Sequence, residues 1–194
     1  MGKEITEMTL EELWQLFPIK LTAHNKNWVA YYYEIKSVLE EILTIYPNKR
    51  ISHIGSTAIN GIWAKPIIDV LLEVCADENT DKIAKLLEQN GFTRMCTAQA
   101  RISLNQGYTK QGFANKVYHI HIRCLGDNDE LYFRDYLNEF PDIAEQYEQL
   151  KLKLWKQYEY NRDAYTLAKA EFINKYTQLA KDEYKNKYRA ISYR

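Results

Sequence analysis

At 194 residues the chain has the length of one domain, and its 26 Lys+Arg balance its 26 Asp+Glu, so the net charge of +0 withholds the basic footprint of a general nucleic-acid binder. Hydrophobic residues at 46% and charged residues at 27% exclude a disordered chain. Three scattered cysteines, Cys75, Cys96 and Cys124, exclude a disulfide framework, and no apolar run approaches the ~18 residues a spanning helix needs.

Taken in chain order, Thr9 and Glu12 hold a capping-box spacing that opens a short helix through Leu13 and Phe17, which Pro18 stops. Ile35, Val38, Leu39, Ile42 and Leu43 recur at helical spacing inside a helix over 25–46. The β-branched run 50–54 and the almost continuously apolar run 66–75 read as strands, the second as an internal one. Thr80 is expected to cap a helix through Leu87, with Gly91 as its left-handed stop. Strands follow at 92–97, 101–105 and 117–124, the last with clean alternation. After Asn128 the pattern is helical. Pro141 suits the first turn of one helix, and a further helix over 162–185 leads to a polar tail expected to fray.

Chemistry concentrates around His53-Ile54-Gly55-Ser56-Thr57 and Asp69. A Gly-Ser turn at a strand exit lets backbone approach a ligand closely, and the Ser56 and Thr57 hydroxyls could hold phosphate oxygens. The same residues read equally as a strand-to-helix turn with a serine cap. Asp69, flanked by Ile67, Ile68, Val70, Leu71 and Leu72, is costly to bury without a partner. His119 and His121 alternate onto one strand face and read either as core residues or as ligands. Two imidazoles with one carboxylate suit Mn, Fe or Zn better than Mg. Lys65, Arg134 and Lys169 read as phosphate-binding cations or as solvated charges, Arg123 as a solvated surface charge, and His53 as a structural hydrogen-bonding residue. Tyr136, Tyr147 and Tyr165 read as helix-packing rings, and Trp28 and Trp155 as core anchors.

The run HIGSTAINGIWAKPIIDV over 53–70 resembles the signature of the GrpB family, small bacterial proteins placed in the DNA polymerase β-like nucleotidyltransferase superfamily. HNKNW (24–28), YHIHI (118–122), FRDYLNEFPDIAEQYEQLK (133–151) and DAYTLAKAEFI (163–173) resemble further family motifs in the same order, so the resemblance spans about residues 19–180. The superfamily pattern is a Gly-Ser turn, two acidic residues one position apart on a strand, and a third acidic residue on a later strand, together holding divalent metal ions. Gly55, Ser56 and Asp69 match it, but Leu71 stands at the second acidic position. Glu73 lies about 13 Å further along the strand, too far to share an ion with Asp69.

The resemblance implies an α+β domain over 1–194: a mixed sheet of four or five strands covered by an N-terminal helix and a C-terminal helical hairpin. It implies a divalent metal, Mg or Mn, held at Asp69; His119 and His121, standing where a third carboxylate is expected, would complete the ligand set and suggest Zn, or one of them would act as general base, and these three would be the catalytic residues. Gly55, Ser56, Thr57, Lys65, Arg134 and Lys169 would hold the phosphates. The expected partner is a nucleotide or phosphorylated small molecule in the cytoplasm, neither nucleic acid nor membrane. The implied reaction moves a nucleoside monophosphate from a nucleoside triphosphate to a small-molecule or protein acceptor. Two alternatives stand beside it: a catalytically impaired module binding a nucleotide or coenzyme A related metabolite, as the family resembles domains fused to dephospho-CoA kinase, and a metal-dependent phosphohydrolase.

Overall fold

Alternation along the strands sorts the sheet into two chemically different faces. In the computed structural model, which describes residues 3–98 and 100–188, five strands form one mixed sheet. They are β1 (Lys49–Ile54), β2 (Ile68–Val74), β3 (Thr93–Ala98), β4 (Arg101–Thr109) and β5 (Gly112–Cys124), in the order β1-β2-β5-β4-β3. Only β2 and β5 run parallel; the other pairs are antiparallel. The near-continuous apolar strand is internal, as its composition predicts, with partners on both edges.

One face buries Val70, Leu72, Leu104, Ile120 and Ile122 against Ile35 and Leu39 of α2 (Asn27–Ile42) and Ile83 and Leu87 of α3 (Thr80–Gln89). Trp28 joins this core as expected. The opposite face carries the odd-numbered residues of β2 and β5, including Asp69, His119 and His121. Four helices lie on that side: α4 (Asp129–Glu139), α5 (Pro141–Tyr158), α6 (Arg162–Leu167) and α7 (Ala170–Tyr184). They enclose a second core in which Phe133, Leu137, Ala144, Tyr147 and Tyr176 pack against Ile59 and Ile62.

Several local expectations meet their physical cause. Thr9 and Glu12 form the reciprocal capping box of α1 (Leu10–Leu16), and Pro141 occupies the first turn of α5. Others are corrected. Asn79, not Thr80, caps α3, its side chain accepting from the Lys82 amide, because Asn competes well for that position. The expected strands 101–105 and 117–124 are the distal parts of one long hairpin closed at Gly112, with a register shift near Gly107, where a Cβ would fall on the Lys116 carbonyl. Polar residues 106–116 hide that hairpin from a hydrophobicity pattern.

The single helix expected over 162–185 is two helices. Between them the ladder tightens to a three-residue bond from the Lys169 amide to the Thr166 carbonyl, so four helices stand where a hairpin was expected. Arg123 is buried rather than solvated; Nη1 donates to the Ile122 carbonyl at 3.0 Å. The polar tail ends α7 at Tyr184 and continues as a turn through Tyr188; residues 189–194 lie outside the described residues. Among the described residues, no helix is long and apolar enough to cross a membrane.

Candidate functional site

The pairing of β2 with β5 sets Asp69 beside His119 and Leu71 beside His121. Asp69 Oδ1 lies 3.2 Å from His119 Nδ1 and 3.3 Å from His121 Nε2. With neutral imidazoles, both ring N–H groups donate to this one oxygen. The remaining ring nitrogens then accept: His119 Nε2 from the Tyr108 hydroxyl at 2.8 Å, and His121 Nδ1 from the Ser103 hydroxyl at 3.3 Å. Arg162 Nη2 donates to the Tyr108 oxygen at 3.0 Å, extending the chain to α6. Burial pushes the Asp69 carboxyl up, but the two imidazoles outweigh it and hold the group far below the usual carboxylate range. Burial lowers His119 against the pull of Asp69.

These residues fit a divalent ion. Their donor atoms all lie within 4.8 Å of one another. To hold an ion the near nitrogens would give up the protons they share with Asp69, and each far nitrogen would carry one and donate to its hydroxyl, the arrangement that orients metal-ligating histidines. Two imidazole nitrogens and one carboxylate oxygen favour Mn, Fe or Zn over Mg. Leu71, at the expected second acidic position, is fully buried with Ile54 and Leu131 beneath α4. Glu73 is separate from the triad: fully buried, it receives Arg50 through two bonds and also accepts from the Gly126 amide and Asn128 Nδ2.

Gly55 leads into a single 3-10 turn, Ser56–Ala58, with φ +71°, and a Cβ there would fall on the Asp69 carboxylate. Only glycine lets the turn close over that group. Ser56 lines the cavity beside Tyr147, whose phenol burial pushes up to about 12. Thr57 does not match its expected role. Its hydroxyl is buried, donates to the Ile67 carbonyl at 3.1 Å and lies 3.0 Å from His53 Nε2, so it clamps the turn. His53 has the structural part expected of it, stacked on Tyr32 at 4.9 Å, and burial pulls its pKa down to about 4.

A cavity of about 780 Å³ opens above the triad between the sheet and α4–α7. Gly55, Ser56, Lys65, Asp69 and His119 belong to its sheet side, and Tyr147, Lys151, Arg162, Tyr165 and Lys169 to its helical side. Lys65 and Lys169 form no ion pair among the described residues; both ammoniums lie over the Tyr165 ring, at 5.7 and 4.3 Å. Burial, with Lys169 and Arg162 nearby, lowers Lys65 to about 7, and burial lowers Lys169 to about 8. Such crowded cations raise affinity for a polyanion. Arg134 also lines the cavity, but its guanidinium is committed to Asp135, the His53 carbonyl and the Tyr188 hydroxyl. Tyr147 and Tyr165 are packing rings as expected and cavity walls as well.

Sequence reasoning missed Tyr108, Ser103 and Arg162 as site residues. A hairpin read around Gly112 would have placed Ser103 opposite His121, but nothing local marks Arg162.

Lys151 is 1% exposed and donates to the Trp63 carbonyl. Burial, together with Lys169 and Lys65 and against Glu148, lowers it to about 7. Because its pKa is depressed below the unfolded value of about 10.4, the unfolded chain binds the extra proton between pH 7 and 10. Stability is therefore expected to rise with pH across that window. Urea unfolding at pH 7 and pH 9 should show the rise, and Lys151→Met should reduce it without abolishing it, because Lys65 and Lys169, lowered to about 7 and about 8, act in the same direction.

Comparison with known proteins gives a consistent frame. The family model for GrpB protein matches residues 18–179. The glutamate-rich protein GrpB of Alkalihalophilus pseudofirmus is 33% identical over 164 residues, 79% of this chain and 91% of that protein. YqkA of Bacillus subtilis is 31% identical over 183 residues, 89% of this chain but 51% of YqkA, so the chain spans about half the length of that relative. The crystal structure of GrpB from Enterococcus faecalis superposes with a TM-score of 0.72 at 31% identity, covering 85% of this chain and 99% of that one. GLD-2 in its complex with RNP-8 superposes with a TM-score of 0.52 at 13% identity, over 77% of this chain and 59% of that one. A cytoplasmic RNA terminal U-transferase gives 0.50 at 12%, over 76% and 45%. These two likenesses show a fold of nucleotidyltransferase type.

Proposed function

The chain belongs to the GrpB family, and from that membership we propose that it binds a nucleoside triphosphate in the basic cavity and transfers its nucleoside monophosphate to a small-molecule or protein acceptor. The carrying observation is that Asp69 meets two imidazoles on the floor of a cavity whose Lys65 and Lys169 have no carboxylate partner among the described residues. Asp69, His119 and His121 would hold a divalent ion, whose bound form supplies charge neutralisation at a transferring phosphoryl group. The chain's own residues do the rest. Ser56 and the turn it opens offer donors to phosphate oxygens, Gly55 keeps the turn close to Asp69, and Lys65, Arg162 and Lys169 balance the anionic charge. Arg134, with its donors committed, orients the His53 end of the turn and leaves the phosphates to the other cations. The cell compartment fitting this reading is the cytoplasm, where nucleotides are made.

Titration calorimetry with a panel of nucleoside triphosphates tests it. Binding is expected to tighten with Mn or Zn and to weaken about tenfold or more in Lys169→Met. A parent protein that binds no triphosphate, with or without metal, overturns the reading. A second reading, a nucleotide-binding module without turnover, is favoured by Leu71, which leaves only one acidic residue in the triad. Release of pyrophosphate on adding phosphorylated acceptors separates the two: bound nucleotide that is never turned over favours the module.

A further inference from the structure

A second, smaller cavity of about 270 Å³ shares Lys65 and Arg162 with the large one. Its other walls are mostly apolar, among them Pro18, Pro66, Ile67, Phe113 and Val117. Phe113 packs with Phe17 and Tyr108 at ring centroid distances of 5.1 and 5.2 Å, which joins the slot to the Tyr108–His119 chain. The volume falls just below the ~300 Å³ at which drug-sized pockets begin, so the slot suits a single small apolar body.

We propose that this slot receives the acceptor, and that the acceptor is a phosphate monoester carried on a small apolar or aromatic body. The proposal rests on the transferase reading of the large cavity and deepens it. Two observations carry it. Lys65 and Arg162 line both cavities where the slot opens into the large one, so they face an acceptor phosphate and the triphosphate at once, and with Lys20 on the slot wall they suit a phosphate dianion, whereas a carboxylate needs only one cation. On the transferase reading Asp69, His119 and His121 would all be taken up as ligands of the ion, so the triad offers no spare base to take a proton from a hydroxyl nucleophile. A phosphate monoester arrives already ionised. Its oxygen forms a bond to the α-phosphorus of the nucleoside triphosphate, the bond from that phosphorus to the bridging oxygen breaks, and pyrophosphate leaves with the electron pair. The product is a diphosphate diester, and no proton has to be removed.

Phenyl phosphate, inorganic phosphate and benzoate are the probes, titrated into the full chain by calorimetry. Phenyl phosphate is expected to bind at least tenfold more tightly than the other two. Ala114→Trp, at an exposed position lining the slot, should erase that preference, and so should Phe113→Ser; circular dichroism confirms that each variant folds. No preference in the parent protein, equal binding of benzoate, or a preference that survives both substitutions overturns the proposal. Triphosphate binding, measured on the same parent protein, reports the transferase reading separately. Nucleotide bound without a phenyl phosphate preference sinks the slot alone. A preference without nucleotide binding sinks the transferase reading and the acceptor role with it.

Discussion

Asp69→Asn should remove the stabilisation that a divalent ion confers on this protein. In the parent, Mn or Zn present at a hundred times its dissociation constant should stabilise the fold by about 2.7 kcal/mol. For a chain of this size that raises Tm by roughly 5–10 °C. The variant should show no measurable shift. Asn preserves the shape of the side chain, so Gly55 keeps its close neighbour and the metal-free fold is retained. It cannot supply the anionic oxygen that both imidazoles approach at 3.2 and 3.3 Å. Calorimetric scans with Mn, Zn and Mg, on parent and variant, make the comparison. Mn and Zn should outrank Mg because imidazole nitrogen suits them better. Equal stabilisation by Mg, or a shift that survives the substitution, would remove the ion from the triad.

Glu73→Ala should be the most destabilising single change on the polar face of the sheet. Glu73 is fully buried, and Arg50 Nε and Nη2 approach it at 2.5 and 2.6 Å. It also accepts from the Gly126 amide at 3.1 Å and from Asn128 Nδ2 at 2.9 Å. Truncation strips the guanidinium of this carboxylate and leaves the amide donors without their acceptor. Breaking such a pair costs about 3–5 kcal/mol, a fall in Tm on the order of 10 °C. The double replacement Arg50→Met with Glu73→Leu should recover only the part of the loss due to the stranded guanidinium, because exchanging a buried ion pair for apolar side chains is close to neutral while the Gly126 amide and Asn128 Nδ2 still lack their acceptor. Urea unfolding of the single and double variants measures both. A single variant as stable as the parent would show that β1 and β2 need no ionic tie.

The two carboxylates of β2 show how far residue patterns reach. Asp69 and Glu73 share strand parity, and strand rise alone separates them by about 13 Å, so spacing already assigns them to different neighbourhoods. The same parity argument places His119 and His121 on one face, and the sheet pairing brings both to Asp69. Parity does not choose partners across the sheet. Ser103 and Tyr108 reach the imidazoles through the register of a hairpin whose turn region is polar, where no alternation marks pairing. Arg162 comes from a helix 54 residues beyond Tyr108 in sequence, and only the closing of α6 over the sheet brings the two together. Thr57 looks like Ser56 in sequence; the chain direction through the 3-10 turn sends one hydroxyl inward and leaves the other facing the cavity. Arg123 misled for a similar reason. It lies one residue from the end of an alternating strand, yet it is buried, its guanidinium turned back onto the Ile122 carbonyl and toward Asp127.

The division of the cavity between floor and roof has a consequence for the protein as it is made. Asp69 and His119 belong to the sheet, whereas Arg162 and Lys169 come from α6 and the turn before α7. A ribosome adding about 5–20 residues per second reaches Lys169 some seconds after His119. The floor can thus meet the metal ions of the cell before the cations overhead exist. On the reading proposed above, an ion could reach its ligands before the anion site exists, since that site forms only when the last helices close the vault.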